Sequence, residues 1–168
     1  MSPTTTKCTR EASVLAATQQ RLNVAIIDSN PSSALYQVEL LAHEFPWSEA
    51  IFMQSSGNGY RWRELIHQGK TCGFTTCQQV VDELTLHNIA VAPEHQGLGL
   101  GGQLLDDVLR YAQNDDLTVF LEVRLSNTKA LHLYEKSGFV IVGRRANYYR
   151  TAAGFEDGLV MRWQPTEN

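Results

Sequence analysis

The sequence predicts a single mixed α/β domain, a mostly antiparallel central sheet with flanking helices, and three observations predict it. An apolar strand, Thr85 to Val91, runs into a loop with four glycines at positions 97, 99, 101 and 102, and then into a helix. Before that loop, the stretch from Tyr60 to about Val81 reads as an antiparallel meander with turns at Gly57-Asn58-Gly59 and Gln68-Gly69. After it, a nearly continuous apolar run, Leu117 to Arg124, reads as a strand covered on both faces.

Each element has a local reason. Asn23 to Asp28 alternates as a first strand, and Ser29-Asn30-Pro31 announces a helix over Ser32 to Glu44, with Leu35, Val38, Leu41 and Ala42 on its apolar face. Phe45-Pro46 ends it, because the residue before a proline leaves the helical region. Ser48 can cap a short second helix through Phe52 and Met53. Strands follow over Tyr60 to His67, Thr71 to about Val81, and Thr85 to Val91. A helix then covers Leu100 to Gln113, a strand Leu117 to Arg124, a helix Asn127 to Lys136, and final strands Phe139 to Gly143 and Gly158 to Trp163. Residues 1–22, rich in Thr, Ser and Gln, are expected to form a flexible extension, and residues 23–168 the one ordered domain.

At 168 residues and 43 % hydrophobic content the chain can bury a full core without disulfides or metal. Its formal charge of −4 gives no global basic field for nucleic acid. No apolar run approaches the roughly 20 residues that span a bilayer, and the N-terminus lacks the apolar core of a signal peptide, so a cytoplasmic protein is expected. Cys72 and Cys77 stand on one expected strand at an odd separation, which points them to opposite faces and argues against a shared disulfide or metal. The five histidines show no ligand spacing, so no metal site is expected.

The glycine loop has the layout of a phosphate cradle: residues without side chains let backbone N–H groups approach an anion, and the helix start adds its unpaired N–H groups and positive dipole end. No Lys-Ser or Lys-Thr follows, which excludes a P-loop. Gly97, Gly99 and Gly102 satisfy a dinucleotide fingerprint, with Glu122 about 20 residues on, but too little chain remains for the rest of a doubly wound domain. The pattern Gln96-x-x-Gly99-x-Gly101 is a third reading. Glu122 is out of keeping with a buried strand and sits near its carboxyl end, where ligands of α/β sheets bind, so it can serve as a general base or as half of a strand-end ion pair with an arginine. Asn127, Leu131 and Tyr134 share a helix face by their spacing, which can aim the Tyr134 phenol at the same cleft, or into the core.

The run Leu121-Glu122-Val123-Arg124-x-Ser126-Asn127-x-x-Ala130-x-x-Leu133-Tyr134-Glu135-x-x-Gly138-Phe139 resembles the ribosomal-protein-alanine N-acetyltransferases of the RimI type, within the acetyl-CoA-dependent GNAT superfamily. Further likeness lies in Phe45-Pro46-Trp47-Ser48-Glu49, Asn88-Ile89-Ala90-Val91-x-Pro93, Arg144-Arg145-x-Asn147-Tyr148-Tyr149, and Glu156-Asp157 before Met161. The resemblance implies the GNAT fold, with parallel strands splayed at the acetyl-CoA site. It implies acetyl transfer from acetyl-CoA, as cosubstrate and without metal, to a protein N-terminus, the alanine of small-subunit ribosomal protein eighteen, with no direct nucleic-acid or membrane partner. It makes Glu122 the general base and Tyr134 the general acid. Ile89, Ala90 and Val91 become the strand that holds the acetyl and pantetheine portion; Gly97, Leu98, Gly99, Leu100, Gly101 and Gly102 become the pyrophosphate loop, and Asn127 a further coenzyme A contact. Gly97 and Gly102 stand where arginines are frequent in this family, so backbone donors must carry more of the phosphate binding. A lysine side chain, a polyamine or another small amine remains an alternative acceptor, and a non-catalytic acetyl-CoA sensor a further one. Glu49, Glu156 and Asp157 are the acids expected to steer a basic acceptor.

Overall fold

The computed structural model describes residues 23–166; the extension expected over residues 1–22 lies outside the described residues. Seven strands form one sheet in the order β1-β2-β3-β4-β5-β7-β6. They are β1 Val24–Ser29, β2 Tyr60–His67, β3 Lys70–Val80, β4 Glu83–Val91, β5 Thr118–Arg124, β6 Val140–Thr151 and β7 Gly154–Trp163. Among the described residues four α-helices accompany them: α1 Ser33–Ala42, α2 Glu49–Gln54, α3 Leu100–Asn114 and α4 Thr128–Lys136. Among the described residues only β4 and β5 pair in parallel. The mixed, mostly antiparallel sheet is the expected fold class.

The core has two sides. Leu35 and Val38 of α1 and Phe52 of α2 pack with Trp62, Phe74 and Ala90 on one face. Leu105 and Val108 of α3 and Tyr134 of α4 pack with Leu84, Leu86, Val119, Leu121, Val123 and Met161 on the other. Ser32 and Ser48 cap α1 and α2 by accepting hydrogen bonds from the Leu35 and Ile51 N–H groups, as their positions before the helices require.

Two of the sheet's bulges lie in its first four strands. Thr76 pairs with Asn88 and Cys77 with Leu86, leaving His87 as an extra residue in β4. Such a bulge bends the strand and inverts its alternation. Leu84 and Leu86 therefore pack on the α3 side, whereas beyond the bulge Ala90 packs beneath α1 and α2, and Ile89 and Val91 turn toward Leu100 and Leu104 of α3. Cys72 is the extra residue of the other bulge, between the Leu65–Gly73 and Ile66–Thr71 pairs. It consequently packs with Leu100 and Leu104 on the same side as Cys77, not opposite to it; both thiols are free and buried.

Three further expectations are corrected. Leu41 is 59 % exposed and Glu39 lies buried in the apolar stripe of α1 instead. Strand β5 is fully covered on one face only: Val119, Leu121 and Val123 are buried, while Glu122 on the alternate face is open. The last two strands are longer than expected and form one hairpin, turning at Ala152-Ala153.

Candidate active site

The parallel ladder between β4 and β5 ends at Leu86 opposite Leu121. Both strands continue, β4 to Val91 and β5 to Arg124, without pairing to each other. The sheet thus opens into a V just past the His87 bulge, and the free edge of β4 turns alternate backbone N–H and C=O groups into the gap. A cleft of about 680 Å³ fills this opening. Of the residues singled out from sequence, Glu122, Tyr134, Ile89, Ala90, Val91, Gly97, Gly99, Leu100, Gly101 and Asn127 line it. Leu98 does not and is half exposed; Gly102 does not and sits in α3 against Leu133.

One half of the cleft is built of backbone. Gly97 and Gly99 both have φ +77°, a conformation that L side chains adopt at a cost, and Gly99 caps α3 with no side-chain hydrogen bond closing its first turn. The leading N–H groups of a 15-residue helix are left for an anion. Gln96 fixes the loop by donating from Nε2 to the Val91 carbonyl at 2.9 Å. Asn127 accepts from the Ala130 N–H at 3.2 Å and so caps α4, whose start faces the same space with Lys129 on the cleft wall.

The other half is built of side chains from distant segments. Glu39, 1 % exposed, accepts from the Trp47 N–H at 2.8 Å and from Asn88 Nδ2 at 2.9 Å, and its carboxylate lies 3.3 Å from His43 Nε2, which also reaches Asn88 Oδ1 at 3.0 Å. This ties α1 and the Phe45–Trp47 turn to β4. Arg124 is held between the rings of Phe45 and Tyr149, at 4.6 and 4.4 Å, and donates to Glu156 and to the Arg150 carbonyl. It bolts the same turn to the β6–β7 hairpin. Gly158 is needed there: a Cβ would lie 2.9 Å from the Tyr149 ring.

The acids expected to steer a basic acceptor do not line the cleft. Glu156 is paired with Arg124 and the Ser126 N–H, Asp157 with Arg144 and the Asn147 N–H, and Glu49 lies in the first turn of α2. Their charge is committed to holding the hairpin or facing a helix dipole.

Glu122 and Tyr134 reach the cleft from opposite faces of the sheet. Glu122 shares the alternate face of β5 with Arg124, and its Oε1 forms an ion pair with Arg145 Nη1 at 2.8 Å. Tyr134, 6 % exposed, is embedded among the residues of the α3 side, and burial pushes its phenol pKa well up. Burial likewise pushes Tyr149 up to about 12, with the nearby Glu122 adding to it. Partial burial lowers the pKa of His87, an effect that the charge of Glu122 opposes. Both phenols therefore keep their protons at neutral pH.

Sequence reading gave no site role to Glu39, His43 or Lys129, nor to Asn88 and Arg145, which it quoted only within longer runs. Two signals were there: Glu39 sits at i+4 within the Leu35, Val38, Ala42 stripe, and the apolar phase shifts from Leu84-x-Leu86 to Ile89-x-Val91 across His87-Asn88, which marks a bulge. Among the described residues no group of three or more His, Cys, Asp or Glu can hold a metal, and no helix is long and apolar enough to cross a membrane.

Comparison with known proteins adds four findings. Residues 26–139 match the acetyltransferase (GNAT) family. The chain is 40 % identical to the [ribosomal protein bS18]-alanine N-acetyltransferase of Escherichia coli K12, over 82 % of this chain and 94 % of that one. The crystal structure of the E. coli ribosomal-protein-S18-alanine N-acetyltransferase superposes with a TM-score of 0.82 at 38 % identity, covering 86 % of this chain and 96 % of that one. A GNAT family acetyltransferase from Elizabethkingia anophelis, solved with acetyl-CoA bound, gives 0.71 at 25 % identity, covering 84 % and 98 %.

Proposed function

The chain belongs to the acetyltransferase (GNAT) family, and on that premise we propose that it transfers acetyl from acetyl-CoA to the N-terminal α-amino group of a protein, the alanine of ribosomal protein bS18. The observation that carries this reading is the V between β4 and β5, where a backbone-built anion cradle, an open carboxylate and a buried phenol border one cleft. A relative at 40 % identity over 94 % of its length, named for that reaction, supports the acceptor.

In this reading the pyrophosphate of acetyl-CoA lies on the N–H groups of Gly97 to Gly101 and the start of α3, with the pantetheine arm along the free edge of β4 at Ile89 to Val91. Asn127 and the start of α4 close the other side. The acceptor amine attacks the thioester carbonyl: a C–N bond forms, Glu122 takes the proton from nitrogen, and a backbone N–H of β4 holds the oxyanion. As the C–S bond breaks, Tyr134, a phenol that holds its proton at neutral pH, gives it to the leaving thiolate. No enzyme nucleophile is required, and the buried Cys72 and Cys77, pushed up to about 11 and about 12, are poor ones.

An α-amino group, with a pKa near 8, is neutral in roughly a tenth of molecules at pH 7, whereas a lysine near 10.4 almost never is; the gap of about 2.5 units is worth about 3.4 kcal/mol. An enzyme with a single carboxylate for deprotonation gains that difference by acting on N-termini. A ribosomal acceptor and acetyl-CoA fit a cytoplasmic location. The test is turnover of acetyl-CoA with a bS18 N-terminal peptide beginning with alanine against the same peptide N-terminally blocked and containing lysine. Turnover of the first alone is expected; equal or greater turnover of the blocked peptide moves the enzyme to side-chain amines, and stabilisation by acetyl-CoA without any turnover makes it a sensor.

A further inference from the structure

Glu122 is already engaged by a cation of the protein's own. The Arg145 pair is open to water, with 34 % of the glutamate side chain and 49 % of the arginine exposed. Arg145 comes from β6, the edge strand, at the point where its ladder breaks. Arg145 pairs with Gly158 and Tyr149 with Glu156, so two more residues are fitted into β6 than into β7 over this interval. Asn147 stands within it at φ +53°, its N–H donated to Asp157, which also accepts from Arg144. A bulge of this kind re-aims side chains. It carries the Arg145 guanidinium across to β5, with the ring of Tyr148 at 4.6 Å as its other support.

The contrast with Arg124 is informative. Both arginines border the same face of β5, but Arg124 is clamped between two rings and donates to Glu156 and a carbonyl. Among the described residues Arg145 has one ion-pair partner, Glu122, and an exposed pair is weakened by water and salt. The acceptor amine reaches the cleft mostly as an ammonium, which is also a cation with N–H donors for a carboxylate. We propose that Arg145 occupies the seat of the acceptor's α-ammonium on Glu122, so that acceptor binding is an exchange of one cation for another and Arg145 sets acceptor affinity. The inference rests on the reading of Glu122 as the carboxylate that meets the amine. In the exchange the guanidinium turns out to water over Tyr148 and the ammonium donates to the vacated oxygen. Net charge at the carboxylate is unchanged; the seated ammonium loses one proton to water to become the neutral nucleophile, and as the C–N bond forms the second passes from nitrogen to the same carboxylate.

Arg145→Gln and Arg145→Lys, each made alone and with Glu122→Gln, test this in steady-state kinetics with an alanine-starting peptide at low and physiological salt. Arg145→Gln is expected to lower the acceptor KM about 3- to 10-fold at low salt, the removal of one screened competing charge, with the KM for acetyl-CoA held. Arg145→Lys should bring the acceptor KM back toward wild type, and in the Glu122→Gln background Arg145→Gln should have no effect. An acceptor KM that is unchanged or raised by Arg145→Gln overturns the proposal, as does a lowered KM that persists equally without the Glu122 carboxylate. Failure of the base reading shows separately, as a Glu122→Gln variant that keeps wild-type kcat. Arg145 is half exposed, and thermal unfolding of each variant checks that folding is retained.

Discussion

The two halves of the cleft are made of different material. On the β4, α3 and α4 side the contacts on offer are backbone N–H groups set by glycines at positive φ and by two helix starts, with one glutamine holding the loop. On the α1–α2 and hairpin side they are charged and aromatic side chains held by one another: Glu39 with His43 and Asn88, Arg124 between Phe45 and Tyr149, Arg145 on Glu122. The first half can hold a polyanionic group that is the same in every reaction cycle. The second can discriminate, because side chains differ from protein to protein while backbone does not. Glu122 stands at the seam, the first residue of β5 past its ladder with β4.

If that division holds, variants at the seam should affect chemistry, those in the backbone half coenzyme binding, and those in the side-chain half the acceptor or stability. The largest effect is expected at the seam: Glu122→Gln should lower kcat about 10²- to 10⁴-fold at neutral pH with the KM for acetyl-CoA little changed. Tyr134→Phe, which removes only a hydroxyl, should lower kcat in the same sense while the domain unfolds at the wild-type temperature. A kcat within twofold of wild type in either variant breaks the assignment for that residue.

Next comes the cradle. Gly99→Val places a β-branched residue at φ +77°, a strain of about 1–3 kcal/mol, and turns the α3 N–H groups away from the anion. The KM for acetyl-CoA should rise about tenfold or more and the thermal protection by coenzyme A should shrink, with the acceptor KM unaffected. If the acceptor KM rises in step, the halves are not separable.

The smallest effect concerns the hairpin. Hydrogen bonds from Ser126 and then Arg124 hold the Glu156 carboxyl below its ordinary pKa, against some opposition from burial. A depressed carboxylate contributes stability that is present above its unfolded value near 4.5 and is lost as pH falls through the lower folded value. Glu156→Gln should therefore lower Tm at pH 7 by about 2–4 °C, of order 1 kcal/mol, and the gap to wild type should close under acid. A gap that persists at low pH would assign the loss to packing.

The same division decides what could be read in the sequence. The cradle was legible because its signal is local: the strand, the glycines and the helix start follow one another directly in the chain. Glu122 was legible as a carboxylate out of place in an apolar strand, and Tyr134 by its helical spacing from Asn127. The side-chain half was not, because its partners are far apart in the chain. Glu39 meets Trp47 and Asn88, 8 and 49 residues away, and Arg124 meets Glu156 at 32. The hairpin was read short for the same reason. An edge strand exposed on both sides shows no alternation, and the bulge at Asn147 depends on Asp157 across the ladder.

The central claim, that these halves bring acetyl-CoA to a protein's α-amino group, is tested most directly by incubating unacetylated bS18 with the enzyme and acetyl-CoA and locating the added acetyl by fragmentation mass spectrometry. The account predicts one acetyl group on the alanine nitrogen, absent with Glu122→Gln over the same interval; acetyl on lysine side chains with the N-terminus left free would contradict it.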